Sequence, residues 1–289
     1  MKIVLATCRK YPELQPSDRL LAHALERGGA HVAAAPWNGP FEPFAAADLV
    51  VIRSTWDYPE AADAFRSWLR RFGAAPRVAN PPGLMLWNLD KSYLLSLAAS
   101  GAPMPATAQS DGDAAAILAT MGALGLAEAV VKPVIGASAR GVSIVRRDDP
   151  ATIDSAAAKL KGGALVQALI PEIRTAGETS LIYFGGDYSH AVVKRPFPGS
   201  ILVQEEHGGR TEIVWPPEWA VEDGLRLLAM LPERPVYARI DVVLRAEELD
   251  ARLALMEVEL IEPELFLTHD AAAAERFAAA LMRELDFLI

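Results

Sequence analysis

The chain has 289 residues, 52% of them apolar and 22% charged, with a formal net charge of −9. That length suits two domains, or one large domain with inserted lobes, and the composition is ordinary for a soluble protein with a substantial core. The acidic balance argues against a general nucleic-acid binder, and the single cysteine, Cys8, excludes an internal disulfide and a cysteine-based zinc site. No uncharged apolar run approaches the roughly 18 residues of a membrane span. The run before Cys8 is also shorter than the roughly 7–15 apolar residues of a signal peptide. The expectation is a cytoplasmic enzyme acting on a small molecule, without nucleic-acid or membrane partners; a homo-oligomer is compatible with it.

In chain order, Lys2 to Thr7 reads as a buried strand, and a helix follows from about Ser17, a good N-cap, to Arg27, with Gly28-Gly29 as its stop. His31 to Ala35 and Asp48 to Arg53 read as strands, and Pro59 opens a helix at its first turn. This alternation predicts a small parallel α/β unit over residues 1–82, closed by the linker Asn80-Pro81-Pro82-Gly83. A helix around Leu89 to Ala99 opens a second lobe, residues 83–167, with strands near Ala129 to Pro133 and Gly141 to Arg146, a helix from Asp149 to Leu160, and the strand Ala164 to Ile170. The remainder, 168–289, is β-rich. Strands are expected at Thr179 to Phe184, Tyr188 to Arg195, Thr211 to Trp215, Val236 to Leu244 and Arg252 to Ile261, with helices near Glu218 to Met230 and Asp270 to Phe287.

The sharpest chemical signal is Arg239-Ile240-Asp241 followed by Glu257-Val258-Glu259. Side chains two apart on a strand share a face, and a hairpin register centred near Leu249 sets Asp241 opposite Glu257. Three carboxylates and a guanidinium then meet on one patch. Crowded carboxylates repel unless a cation neutralises them, and one or two carboxylates with phosphate oxygens is a usual Mg²⁺ site. Two amphipathic strands with a solvated charged face would leave the same pattern.

Other candidates are separate in sequence. Lys132 ends an apolar strand, and Gly136 and Gly141 bracket a small-residue loop containing Ser138. Such a loop can bring backbone N–H groups to phosphate oxygens, although an ordinary hairpin turn fits it equally well. The strand through Gln167 and Leu169 has backbone able to read an adenine edge, and Glu178 could accept from ribose hydroxyls. Lys91 stands at a helix start, the end where a cation is less favoured by the dipole. Lys194-Arg195-Pro196, Gln204 and His207-Gly208-Gly209 add a basic cluster and a tight turn. GxxxxGK[ST], GxGxxG and HExxH are absent, and the five histidines lack ligand-like spacing. Most of the six tryptophans are expected to be packing residues, with Trp56 as the functional exception.

Taken in order, these residues resemble the ATP-grasp superfamily, in its glutathione synthetase-like branch, over nearly the whole chain. Arg53-Ser54-Thr55-Trp56-Asp57-Tyr58 and the run Leu255 to Pro263 look most like the D-cycloserine synthetase family. The resemblance implies an α/β protein: an N-terminal parallel pre-ATP-grasp domain and two lobes clasping ATP.

It also implies roles. Lys91 and Lys132 would hold ATP phosphates under a lid from Gly136 through Ser138 to Gly141, Gln167 and Leu169 would meet the adenine, and Glu178 the ribose. Lys194 or Arg195, with Arg239, would serve the transferring phosphate. Asp241, Glu257 and Glu259 would ligate Mg²⁺, two ions in the fuller case, with Mn²⁺ as a substitute. Arg53, Ser54, Trp56, Asp57, Tyr58, Gln204, Gly208, Gly209 and Glu262 would surround the substrate.

The sequence departs from the family pattern at Glu259, where many members carry Asn, and at Leu202, where many carry Arg. The implied activity is an ADP-forming carboxylate–amine ligase working through an acyl-phosphate. Its substrate would be small and amino-acid-like, either cyclising on itself or joining a second molecule. A kinase that stops at phosphoryl transfer and a nucleotide-binding regulatory protein are the rival readings.

Overall fold

The computed structural model describes residues 1–72, 78–137, 139–197, 200–203, 208–245 and 252–286. Strand β1 (Lys2–Thr7) leads to helix α1 (Pro16–Arg27), followed by β2 (His31–Pro36), the short α2 (Glu42–Ala45), β3 (Leu49–Ile52) and α3 (Ala62–Arg70). The three strands form a parallel sheet in the order β2-β1-β3. In β1, Ile3 and Leu5 enter one core and Val4 and Ala6 another, so both faces are covered, as parallel strands require. Helix α1 starts one residue before Ser17, because Pro16 occupies its first turn. Ser17 is therefore not its N-cap, and its hydroxyl is used elsewhere.

A separate helix, α4 (Pro82–Asn88), precedes α5 (Tyr93–Ala99), which spans only part of the helix expected from Leu89 to Ala99. The break holds Lys91, whose N–H donates to the Val134 carbonyl at 2.7 Å. Next come β4 (Thr107–Ser110), α6 (Ala114–Ala123), β5 (Glu128–Pro133), β6 (Ser143–Arg146), α7 (Pro150–Ala157) and β7 (Ala164–Ala168). β4 and α6 carry too weak a pattern to stand out: β4 is four mostly polar residues, and α6 is largely alanine. These strands form an antiparallel sheet, β4-β7-β5-β6. Ile117, Met121, Val131 and Val166 pack between it and helices α6 and α7, which leaves Val130, Lys132 and Gln167 on the opposite face.

The last unit contains β8 (Glu178–Phe184), β9 (Asp187–Arg195), β10 (Arg210–Val214), α8 (Glu218–Ala229), β11 (Tyr237–Leu244), β12 (Leu253–Glu259) and α9 (Ala273–Asp286). Its strands run antiparallel in the order β10-β9-β8-β11-β12. One face buries Leu181, Ile240, Val242 and Leu255 against Leu84, Leu94 and Leu97 of α4 and α5. By packing, these two helices go with the last sheet, although they fall inside the expected 83–167 lobe. The other face joins the N-terminal unit through Ile182, Phe184 and Tyr237, which share a core with Leu5, Leu21 and Phe277 of α9.

Asn80 fixes the linker. Its Nδ2 donates to the carbonyls of Tyr237 and Leu260, and its Oδ1 accepts from the N–H groups of Val236 and Tyr237. It does this with a φ of 72°, a region Asn tolerates better than most residues. Among the tryptophans, Trp37 and Trp68 are core residues, whereas Trp215 is 86% exposed and does not fit the packing expectation.

Candidate active site

The cleft lies between the Lys132 face of the central sheet and the Asp241 face of the last sheet. It encloses a cavity of about 560 Å³. β11 explains why the chemistry falls there. Its alternate residues Tyr237, Arg239, Asp241 and Val243 share one face, which passes from the shared core, through the cleft, to a small apolar cluster with Ile170, Ile173 and Val203. Asp241 stands opposite Glu257, and Arg239 opposite Glu259, as the expected register requires; Leu249 itself lies outside the described residues. The pairing then slips at a bulge, so that Val242 opposes Leu255. The extra residue, Met256, lines the cavity beside Glu257.

Most of the charges in the cleft are already paired. Asp241 accepts from Ser180 at 2.5 Å and from Arg239 Nε and Nη2 at 3.0 Å each, and Lys194 lies 3.2 Å away. Burial alone would raise its pKa, but the two cations hold it well below the usual carboxylate range. Burial likewise opposes the charge on Arg239, and Asp241 and Glu259 outweigh it, raising that pKa. Lys194 also meets Glu178 at 2.6 Å, Arg239 meets Glu259 at 2.5 Å, and Lys91 pairs with Glu257. The turn before Glu178 requires glycine: Gly177 has a φ of 79°, and a Cβ there would stand 2.6 Å from the Lys194 carbonyl oxygen.

Lys132 differs from the other cations. It donates to Gln167 Oε1 and the Met256 carbonyl, both at 3.3 Å, and pairs with no acid among the described residues. Burial, reinforced by the charge of Lys91, lowers its pKa to about 7. Gln167 is committed on both sides, since its Nε2 donates to Thr107 at 2.9 Å. Glu262 is the reverse case. Burial and the neighbouring charge of Glu259 raise it to about 8, against the pull of Lys91 and the Tyr58 hydroxyl.

Of the expected site residues, Lys91, Lys132, Gly136, Gln167, Leu169, Glu178, Lys194, Arg239, Asp241, Glu257, Glu259, Glu262, Trp56 and Tyr58 line this one cavity. Others do not. Arg195 follows Lys194 on a strand, so it points away and pairs with Glu212 at 3.0 Å. Arg53 is 1% exposed: its Nε donates to Asp18 at 2.7 Å and its Nη2 to the Pro263 carbonyl at 3.0 Å. It is not among the residues that line the cavity. Ser54 is buried on the same Asp18, and Asp57 accepts from Trp37 and Asn38. Gly141, Gly208 and Gly209 are off the cavity wall. Ser138 and Gln204 lie outside the described residues.

A further wall, not anticipated from the sequence, is built by Tyr11, Gln15 and Ser17 after β1, together with Glu264, Phe266, Thr268 and His269. Ligands of open α/β sheets bind beyond the carboxyl ends of strands. That rule, applied after β3 to Arg53, applies equally to the segment after β1.

No three carboxylates or histidines among the described residues are grouped as a self-contained metal site. Glu257 and Glu259, on one face and partly open to the cavity, fit the lesser demand of Mg²⁺, which commonly takes one or two carboxylates and completes its shell with phosphate and water.

The solved structure of the ATP-grasp ligase PsnB, in complex with a phosphomimetic variant of minimal precursor, Mg and ADP, matches with a TM-score of 0.66 at 14% identity, covering 98% of each chain. The architecture is thus the ATP-grasp fold. The crystal structure of D-cycloserine synthetase DcsG matches with a TM-score of 0.85 at 27% identity, over 99% of this chain and 100% of that one. The cycloserine biosynthesis protein DcsG of Streptomyces lavendulae is 30% identical over 283 residues, 92% of either chain. The family model for the N-terminal domain of D-cycloserine synthetase DcsG matches residues 3–80. The chain belongs to the D-cycloserine synthetase-like family of ATP-grasp proteins.

Proposed function

We propose that this protein is an ATP- and Mg²⁺-dependent, ADP-forming ligase that activates the carboxylate of a small amino-acid-like substrate and joins it to a nitrogen. The observation that carries this reading is Lys132, a buried lysine without an acidic partner among the described residues, in the same cleft as Glu257 between two sheets. A buried cation of this kind is stabilised by an incoming anion. The apolar end at Leu169, Ile173 and Val203 suits a base, and Glu178, which lines the same cavity, would accept from the ribose hydroxyls.

Lys91, Lys132 and Lys194 would bind phosphate oxygens, and Glu257 and Glu259 would hold Mg²⁺ against them. Asp241 orients Arg239 and Lys194 rather than serving as an open ligand. Mg²⁺, when bound there, would neutralise phosphate charge and polarise the γ-phosphoryl group. In this reading a substrate carboxylate oxygen attacks the γ-phosphorus and ADP leaves. The nitrogen then attacks the acyl carbon, expels phosphate and loses its proton. The protein supplies positioning and water exclusion without a nucleophile of its own. Arg140, in the loop after Gly136, reaches Glu60 of the N-terminal unit at 2.8 Å, a contact suited to closing the cleft.

Whether the substrate cyclises or meets a second molecule is decided by incubation with Mg²⁺-ATP and O-ureido-D-serine, alone and with added amines. Substrate-dependent ADP and a mass-resolved amide or ring product support the proposal. AMP, or a stable phosphorylated substrate as the end product, would sink it.

A further inference from the structure

Lys132 and Glu264 line this cavity on different walls, each without an opposite partner among the described residues. Lys132 is the cation on the central-sheet wall. The other is Glu264, on the wall formed by the segments after β1 and β12. Glu264 Oε1 accepts from the Ser17 hydroxyl at 2.6 Å and from the Phe266 N–H at 2.8 Å, both neutral donors. No ion pair to its carboxylate occurs among the described residues, and its Oε2 takes no hydrogen bond from them. Arg53 is near enough to feel its charge but forms no ion pair with it: its Nε donates to Asp18 and its Nη2 to the Pro263 carbonyl, while its Nη1 has no partner among the described residues. Arg239 touches only the Glu264 carbonyl, at 3.1 Å.

The carboxylate is also held in place. Ser17 and Asp18, adjacent on the first turn of α1, both fix this segment, Ser17 directly and Asp18 through Arg53. Phe266 follows with a φ of 52°, a costly conformation for an aromatic residue that persists only where its surroundings impose it. Its ring lies against the Arg239 guanidinium, 5.8 Å from the centroid.

We infer that Glu264 is an ammonium-binding subsite: its free oxygen receives the α-ammonium of the substrate, a group that does not itself react, while the substrate carboxylate points toward Arg239 and Lys194. An anchored acid with one open oxygen and no cation of its own is a selective receptor for R–NH₃⁺, and charge-assisted hydrogen bonds are the strong ones. Ser17 and Arg53 are positioning residues for it. The inference deepens the ligase reading and rests on that reading for turnover, but not for binding.

The test is calorimetric titration of D-serine and O-ureido-D-serine, and of D-glycerate as a probe lacking the amine, into protein saturated with Mg²⁺ and a non-hydrolysable ATP analogue. The wild type is expected to prefer the amine-bearing probes. Glu264→Gln should weaken them about tenfold or more while leaving D-glycerate and nucleotide affinity unchanged. Ser17→Ala, a milder change, should weaken the same probes by a smaller factor and spare D-glycerate. No amine preference in the wild type, or equal loss for both kinds of probe in Glu264→Gln, would overturn the assignment. ADP release is followed in parallel: amine-selective binding without ADP formation would refute the ligase reading and leave the subsite standing.

Discussion

At the scale of single residues, the cleft separates charges that are paired within the protein from those that await a ligand. Lys132 belongs to the second group, and its pKa of about 7 against 10.5 for a free lysine carries a stability consequence. Between those values the unfolded chain binds a proton that the folded chain does not. Folding is therefore penalised fully below pH 7, and the penalty fades as pH rises toward 10. Lys132→Met should abolish ligase turnover. It should also raise the unfolding free energy of the ligand-free protein at pH 6.5 by more than at pH 9.5, as read by urea denaturation. Arg53 is the contrasting case, a buried cation already paired with an acid, Asp18. Arg53→Met strands the Asp18 charge and should cost about 3–5 kcal/mol of stability, most of it recovered in the double variant Arg53→Met/Asp18→Leu. If Arg53 contacted substrate instead, the single variant would raise KM and leave the denaturation midpoint in place.

At the scale of elements, one strand face and one bulge place the acids. The face of β11 is legible in the spacing of Arg239 and Asp241. The slip at Met256 is not, because it depends on how β12 satisfies its neighbours. Asn88 and Tyr93 exchange hydrogen bonds with the backbone of Val258 and Leu260 and so clamp β12 from the α4–α5 side. Asn80 does the same for β11. Asn80→Ala leaves four buried backbone groups without their side-chain partner, and is expected to cost about 3–5 kcal/mol. Asn80→Gly relieves the φ of 72° but restores no hydrogen bond, so it should remain well below wild type in the same denaturation experiment.

At the scale of the whole molecule, the cavity draws its wall from the two antiparallel sheets and from the segments after β1 and β3 of the N-terminal sheet, so nucleotide binding should stabilise the assembly as a unit. A hundredfold excess of Mg²⁺-ADP over its Kd should add about 2.7 kcal/mol, seen as a rise in Tm. Glu257→Gln/Glu259→Gln should remove the Mg²⁺-dependent part of that rise while the ligand-free protein still unfolds cooperatively. A rise that persists undiminished in the double variant would assign the metal to other groups. The C-terminal helix α9 packs on the N-terminal sheet through Phe277 and Leu281, which ties the first and last units into one core.

The sequence by itself determined most of the strands along the chain, the alternation that sets Arg239 with Asp241 and Glu257 with Glu259, and the family resemblance that groups them with Lys132 and Lys194. Period-two side-chain direction is a local property, and it survives folding unchanged. Only the tertiary structure decided which charges are spent. Arg53 and Lys132 look alike in sequence, each a cation at the end of an apolar strand. One meets Asp18 from α1, and the other meets no acid among the described residues. The Glu264 wall was hidden for the same reason: its carboxylate is defined by Ser17, some 250 residues away. A site made by two distant loops has no period to read, because its geometry exists only once the sheets that carry those loops have packed.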